Sequence, residues 1–162
     1  MELISIKELS TKESLNNFDC GIPVLNIFLS DYALKNDINN IGKTYLLVEN
    51  EKVLGFFTLA AASISFESLP ENHERLPKYP VPVIRIARLA VDKRYQNNHL
   101  GKFLLQHAFS IIINISSKVG TYGIVVDAKE TSKGFYEYYG FIKIKGELTY
   151  FLPLNTILSA IS

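Results

Sequence analysis

Residues 88–109, "RLAVDKRYQNNHLGKFLLQHAF", pass from an apolar stretch through a polar loop into an amphipathic segment. That order can do anion chemistry. The free N–H groups at a helix start and the positive end of its dipole favour a negative group, so such a loop can cradle a pyrophosphate. Lys93, Arg94 and Lys102 add positive charge beside it. An ordinary strand-to-helix turn reads the same way, because a short motif alone discriminates poorly. The middle of the loop, Asn97-Asn98-His99, lacks the glycines that let a backbone approach a phosphate closely. Asn and His are nonetheless enriched at positive φ among non-glycine residues, so the turn stays open to them.

Other reactive groups are sparse. No carboxylate announces itself as a general base. Glu130 and Glu137 are the fallback bases, and His73 and His107 read as surface or core histidines. Cys20 is the only cysteine, which excludes an internal disulfide and metal sites built on paired cysteines, and fits a reducing, cytoplasmic setting. No metal is expected.

The elements that carry these groups follow from periodicity. Leu3 to Ile6 reads as a first strand, and Ser10-Thr11-Lys12-Glu13 has the form of a capping box. Residues 22–35 set Val24, Leu25, Phe28, Leu29, Tyr32 and Ala33 on one helical stripe. Thr44 to Val48 and Val53 to Phe66 read as antiparallel strands, and Glu67 to Pro82, with Pro70, Pro77, Pro80 and Pro82, as a loop. Val83 to Val91 is a strand covered on both faces, followed by a helix after Gly101. Tyr122 to Val126 is a buried strand, Thr131 to Tyr139 a short helix stopped at Gly140, and Phe141 to Leu152 one or two closing strands. The alternation predicts an α/β chain with a mixed sheet, one domain over residues 1–162. The first residues lack the pattern of a signal peptide and no apolar run approaches the roughly 18 residues of a membrane span, so a soluble protein is expected. A net charge of +1 without a polybasic tail means that any nucleic-acid contact needs a local patch.

Gln96-Asn97-Asn98-His99-Leu100-Gly101 resembles the Q/R-x-x-G-x-G/A motif of the GNAT N-acetyltransferase superfamily, with His99 at the first glycine. Phe135-Tyr136-Glu137-Tyr138-Tyr139-Gly140-Phe141 resembles the F-Y-x-x-x-G-F element of the same family. Phe18-Asp19-Cys20-Gly21 with Leu25-Asn26, Gly42-Lys43-Thr44-Tyr45, Tyr79-Pro80-Val81-Pro82-Val83, Ala87-Arg88-Leu89-Ala90-Val91-Asp92 and Val126-Asp127-Ala128 are similar to the GNAT toxins of bacterial toxin-antitoxin modules.

The resemblance implies a GNAT fold with its sheet splayed between the strands at about 83–91 and 122–126. It implies acetyl-CoA held by Gln96, Asn97, Asn98, His99, Leu100, Gly101 and Lys102, with the pantetheine along Leu89, Ala90 and Val91. It also gives Tyr136 the role of general acid toward the departing thiolate. The implied acceptor is the α-amine of aminoacyl-tRNA, with a ribbon-helix-helix antitoxin as partner and a homodimer as assembly. Arg75, Lys78, Arg85, Arg88, Lys93 and Arg94 are the candidate contacts to tRNA phosphates. For Arg88 the plainer expectation is an ion pair with Asp92 or Asp127. The competing readings are an acetyltransferase of a small amine or peptide N-terminus, and a degenerate, non-catalytic binding module.

Overall fold

A computed structural model of the 162-residue chain describes residues 5–10, 15, 17–69, 76, 78–144 and 148–161. The expected capping box, His73 and Arg75 lie outside the described residues. Seven strands form a mixed sheet in the order β1-β2-β3-β4-β5-β7-β6. By contacts the chain divides into two compact units, Met1–Ala60 with Ala87–Ser110, and Ala61–Ile86 with Ile111–Ser162.

In the first unit β1 (Ser5–Glu8) pairs antiparallel with β2 (Lys43–Glu49), which pairs antiparallel with β3 (Lys52–Ile64). The hairpin turns on Asn50 and Glu51, at φ 50° and 65°, the left-handed pair that matches strand twist in a two-residue loop. Its core gathers Phe18, Phe28, Leu29, Ala33, Leu46, Phe56 and Ala90, and Thr44 and Thr58 satisfy each other at 2.8 Å between hydroxyl oxygens.

The single amphipathic helix expected over 22–35 is a composite instead. α1 (Pro23–Ile27) runs into a π-helical turn, Phe28–Tyr32, and then α2 (Ala33–Ile38). The widened turn shifts the facing of the stripe. Phe28, Leu29 and Ala33 are buried, while Val24 and Tyr32 are 61% and 55% exposed.

β4 (Val81–Val91) is divided: within the second unit it pairs parallel with β5 (Gly123–Asp127) from Val83↔Gly123 to Ile86↔Val126, and its continuation, Ala87–Val91, belongs to the first unit. β7 (Thr149–Pro153) pairs antiparallel with β5 and with the short β6 (Ile142–Lys143). Only glycine fits at 123, where a Cβ would lie 2.5 Å from the Phe151 ring and 2.6 Å from the Leu152 carbonyl. Val83, Val125, Ile144 and Phe151 form the core here. The chain ends in α5 (Leu154–Ile161), which the sequence reading left out. α3 (Leu100–Ser116) buries Leu104, Leu105, Ala108 and Ile112, as its periodicity requires. Among the described residues no helix is long and apolar enough to cross a membrane.

Candidate active site

The loop between β4 and α3 is braced before it turns. Asp92 is fully buried, and its carboxylate accepts from the backbone N–H of Asp19 (3.1 Å) and of Arg94 (2.9 Å) and from the Arg94 guanidinium through Nε (3.0 Å) and Nη2 (2.8 Å). Asp19 in turn accepts from Gly21 N–H and Asn26 Nδ2, both at 2.9 Å, and pairs with Lys93 at 2.9 Å. Hydrogen bonding from Lys93, and then from Gly21, holds the Asp19 carboxyl down at about 2; hydrogen bonding from Arg94 lowers that of Asp92. Gln96 Nε2 donates to the carbonyls of Val91 (2.9 Å) and Cys20 (3.2 Å). Asp19, Asn26 and Asp92 were missed as functional positions. All three lie in stretches quoted above for their resemblance, but partners 73 residues apart leave no local signal of the role.

Past Gln96 the backbone turns left-handed twice, at Asn97 (φ 68°) and His99 (φ 61°). The structure thus puts His99 in the conformation for which a glycine is the usual occupant. Asn97, Asn98 and His99 are exposed, and Phe103 N–H closes the first turn of α3 on the His99 carbonyl at 3.1 Å. The N–H groups of Leu100, Gly101 and Lys102 therefore precede the first intrahelical donor and take no acceptor among the described residues. Three orphan donors at the start of a long helix, beside the exposed Lys102, fit a pyrophosphate. Upstream, Leu89 and Val91 are half-buried and Ala90 is buried. A Cβ on Gly55 would lie 2.9 Å from the Ala90 carbonyl and 3.0 Å from Leu104 Cδ1, so Gly55 is what lets β3 and α3 close on this strand.

Tyr136 sits in α4 (Lys133–Tyr138), in the second unit. The helix ends in a Schellman motif: Phe141 N–H donates to Tyr136 O (3.1 Å) and Gly140 N–H to Glu137 O (3.0 Å), with Gly140 at φ 92°. The accompanying apolar contact is between the Tyr136 and Phe141 rings, 5.5 Å apart, with Phe135 edge-on at 5.1 Å. The spacing F-Y-x-x-x-G-F is therefore a capping device that fixes Tyr136. The side chain is 4% exposed, and burial pushes its phenol well above the usual tyrosine range. Among the described residues its hydroxyl bonds no protein group and no buried side-chain polar atom lacks a partner, so the hydroxyl end reaches accessible space.

The remaining candidates separate by partner. Arg85 pairs with Asp127, Lys93 with Asp19 and Arg94 with Asp92, while Lys78 is exposed. Arg88 does not pair with Asp92 or Asp127, both of which are engaged elsewhere. Its guanidinium lies over the Phe28 ring, 3.6 Å from the centroid. Glu130 pairs with Lys133 at 3.0 Å, and Glu137 accepts from the Tyr150 hydroxyl at 3.2 Å, so neither fallback base is free. His107 packs against Phe103, ring centroids 4.5 Å apart. Tyr138, beside Tyr136 in sequence, is 81% exposed.

Residues 19–151 match the family model described as the acetyltransferase (GNAT) domain. A tRNA-acetylating toxin from Mycobacterium tuberculosis is 29% identical over 136 residues, covering 83% of this chain and 82% of that one. The structure of AtaT complexed with acetyl-methionyl-tRNAfMet superposes with a TM-score of 0.92 at 29% identity, over 98% of this chain and 99% of that chain. A Tyr→Phe variant of the AtaT toxin, bound to the C-terminus of the antitoxin AtaR and acetyl-CoA, superposes with a TM-score of 0.83 at 29% identity, over 97% of each chain.

Proposed function

Because the chain belongs to the GNAT acetyltransferase family, we propose that it transfers the acetyl group of acetyl-CoA to the α-amine of an aminoacyl-tRNA, in the cytoplasm, as the toxin of a toxin-antitoxin pair. The observation that carries this reading is the end-to-end likeness to AtaT complexed with acetyl-methionyl-tRNAfMet. The family match runs across both compact units, which supports their working as one acetyltransferase domain. An antitoxin holds the enzyme in check, as AtaR is found bound to AtaT, and the family resemblance adds a homodimer as its assembly.

In this reading the orphan N–H groups of Leu100, Gly101 and Lys102 and the turn at Asn97–His99 bind the pyrophosphate, and Leu89, Ala90 and Val91 run beside the pantetheine. The neutral α-amine attacks the thioester carbonyl, the C–S bond breaks, and Tyr136 gives its phenolic proton to the departing sulfur. Burial keeps that phenol protonated at any physiological pH. It also makes the phenol a weaker acid, and a thiolate leaving into the same dry surroundings is a correspondingly stronger base. The amine's surplus proton passes to water. Glu130 and Glu137 are engaged elsewhere, and an α-amine with a pKa of about 8 does not need them.

The test is incubation of the purified protein with radiolabelled acetyl-CoA and a mixture of charged tRNAs, small amines and peptides. Label should enter the tRNA fraction and be released by mild alkali as N-acetyl amino acid. Label confined to small amines or peptides sinks the aminoacyl-tRNA reading, and the absence of any acetyl-CoA binding sinks the enzyme.

A further inference from the structure

We infer that the Arg88 guanidinium, held over the Phe28 ring, is a phosphate-binding site for the RNA acceptor, a role that rests on the tRNA reading above. The other described basic residues along β4 and the start of its loop have a carboxylate: Arg85 has Asp127, Lys93 has Asp19, and Arg94 has Asp92. Arg88 has none. It is half-buried, it makes no hydrogen bond or ion pair among the described residues, and burial lowers its pKa. A guanidinium taken partly out of water without a counter-charge is a standing cost, and an anionic ligand removes that cost.

The surroundings are built to hold it. Arg88 lies over Phe28 at 3.6 Å, Phe28 stacks on Phe56 with centroids 6.2 Å apart and planes at 24°, and Phe18 meets Phe56 edge-on at 5.5 Å. Phe28 is 6% exposed and Phe56 fully buried, so the platform is rigid. Phe28 is also the first residue of the π-helical turn, a costly local geometry that recurs at functional sites. A guanidinium held in place over a ring carries a planar fork of N–H donors, the geometry that phosphate oxygens accept.

Phosphate chemistry has two sources here, the cosubstrate and the RNA. Arg88 lies three residues before Val91, whose carbonyl Gln96 clasps, so it is about 10 Å back along β4 from the end where the loop begins. That separation places it away from the pyrophosphate loop and favours the RNA.

Three measurements on wild type and Arg88→Met decide it: Kd for uncharged tRNA across a salt series, Kd for acetyl-CoA, and Tm. The expected result is tRNA affinity about tenfold weaker, a plot of log Kobs against log salt shallower by about one phosphate's worth, and unchanged acetyl-CoA affinity. Unchanged tRNA affinity overturns the proposal, as does a loss confined to acetyl-CoA, which would give the site to the cosubstrate. If Arg88→Met fails to fold, Arg88→Lys carries the test: a point charge without the stacked plane should keep the salt slope and bind tRNA several-fold more weakly, and wild-type affinity overturns the assignment. These readouts are binding alone. A wild type that binds tRNA without acetylating it defeats the functional reading and leaves the Arg88 test standing.

Discussion

At the scale of single residues, two side chains carry opposite burdens. Tyr136 is fixed by ring contacts and by the helix cap, while its hydroxyl stays unclaimed by the protein. Tyr136→Phe should therefore leave Tm and acetyl-CoA affinity unchanged and lower kcat on charged tRNA about 10²–10⁴-fold. In the wild type kcat/KM should rise as the acceptor amine deprotonates near about pH 8 and show no fall up to about pH 10, because burial moves the phenol's own titration upward out of that range. A fall before about pH 10, or full activity in Tyr136→Phe, removes the acid role. His99 carries strain rather than chemistry, since a side chain at φ 61° tolerates few residue types. His99→Val, β-branched at that φ, should cost about 1–2 kcal/mol in urea unfolding. Asn97 and His99 at positive φ are what the sequence already allowed; the exposure of the His99 side chain is what only coordinates give.

At the scale of elements, the loop between β4 and α3 depends on a clamp between distant segments, Asp19 to Asn26 on one side and Asp92 to Gln96 on the other. Asp92→Ala strands the Asp19 and Arg94 N–H groups and should cost about 2–4 kcal/mol, with acetyl-CoA affinity falling in parallel. Both carboxyls titrate below their unfolded values, so their stabilisation is complete above about pH 4 and is lost as pH falls toward about 2, the Asp19 value. Acid unfolding followed by circular dichroism should show that dependence in the wild type and a flatter one in Asp92→Ala. Local patterning made β2, β3, β4, α3 and β5 legible because each has an apolar run matched to its period. It failed over 23–38, where a π-helical turn adds a residue to the helical count and turns Val24 and Tyr32 outward. It also missed α5, since a short apolar run after a strand fits either period. The Arg88 expectation failed for another reason: Asp92 is close in sequence, yet its oxygens are already filled by Arg94 and the Asp19 amide.

At the scale of the whole molecule, charge sets how the protein meets a polyanion. The chain has 17 Lys and Arg against 16 Asp and Glu, a net charge of +1, and near β4 most cations are bound to carboxylates of their own. A cation already paired with an acid neutralises little phosphate and releases few counterions. Among the described candidates that leaves Lys78 and Arg88, without a carboxylate partner among the described residues, to make contacts with RNA. Each phosphate neutralised contributes about −0.7 to −0.9 to the slope of log Kobs against log salt, so two contacts predict a slope of about −1.4 to −1.8 for tRNA binding. Recognition then rests on the placement of a few groups and on the aminoacyl end rather than on a broad basic face. Anisotropy titrations between about 50 and 200 mM salt measure this directly, a range over which two contacts cost roughly one order of magnitude in affinity. A slope steeper than about −6 would require cations beyond these candidates, either Arg85, Lys93 and Arg94 released by their carboxylates when RNA binds or exposed lysines elsewhere such as Lys52 and Lys129.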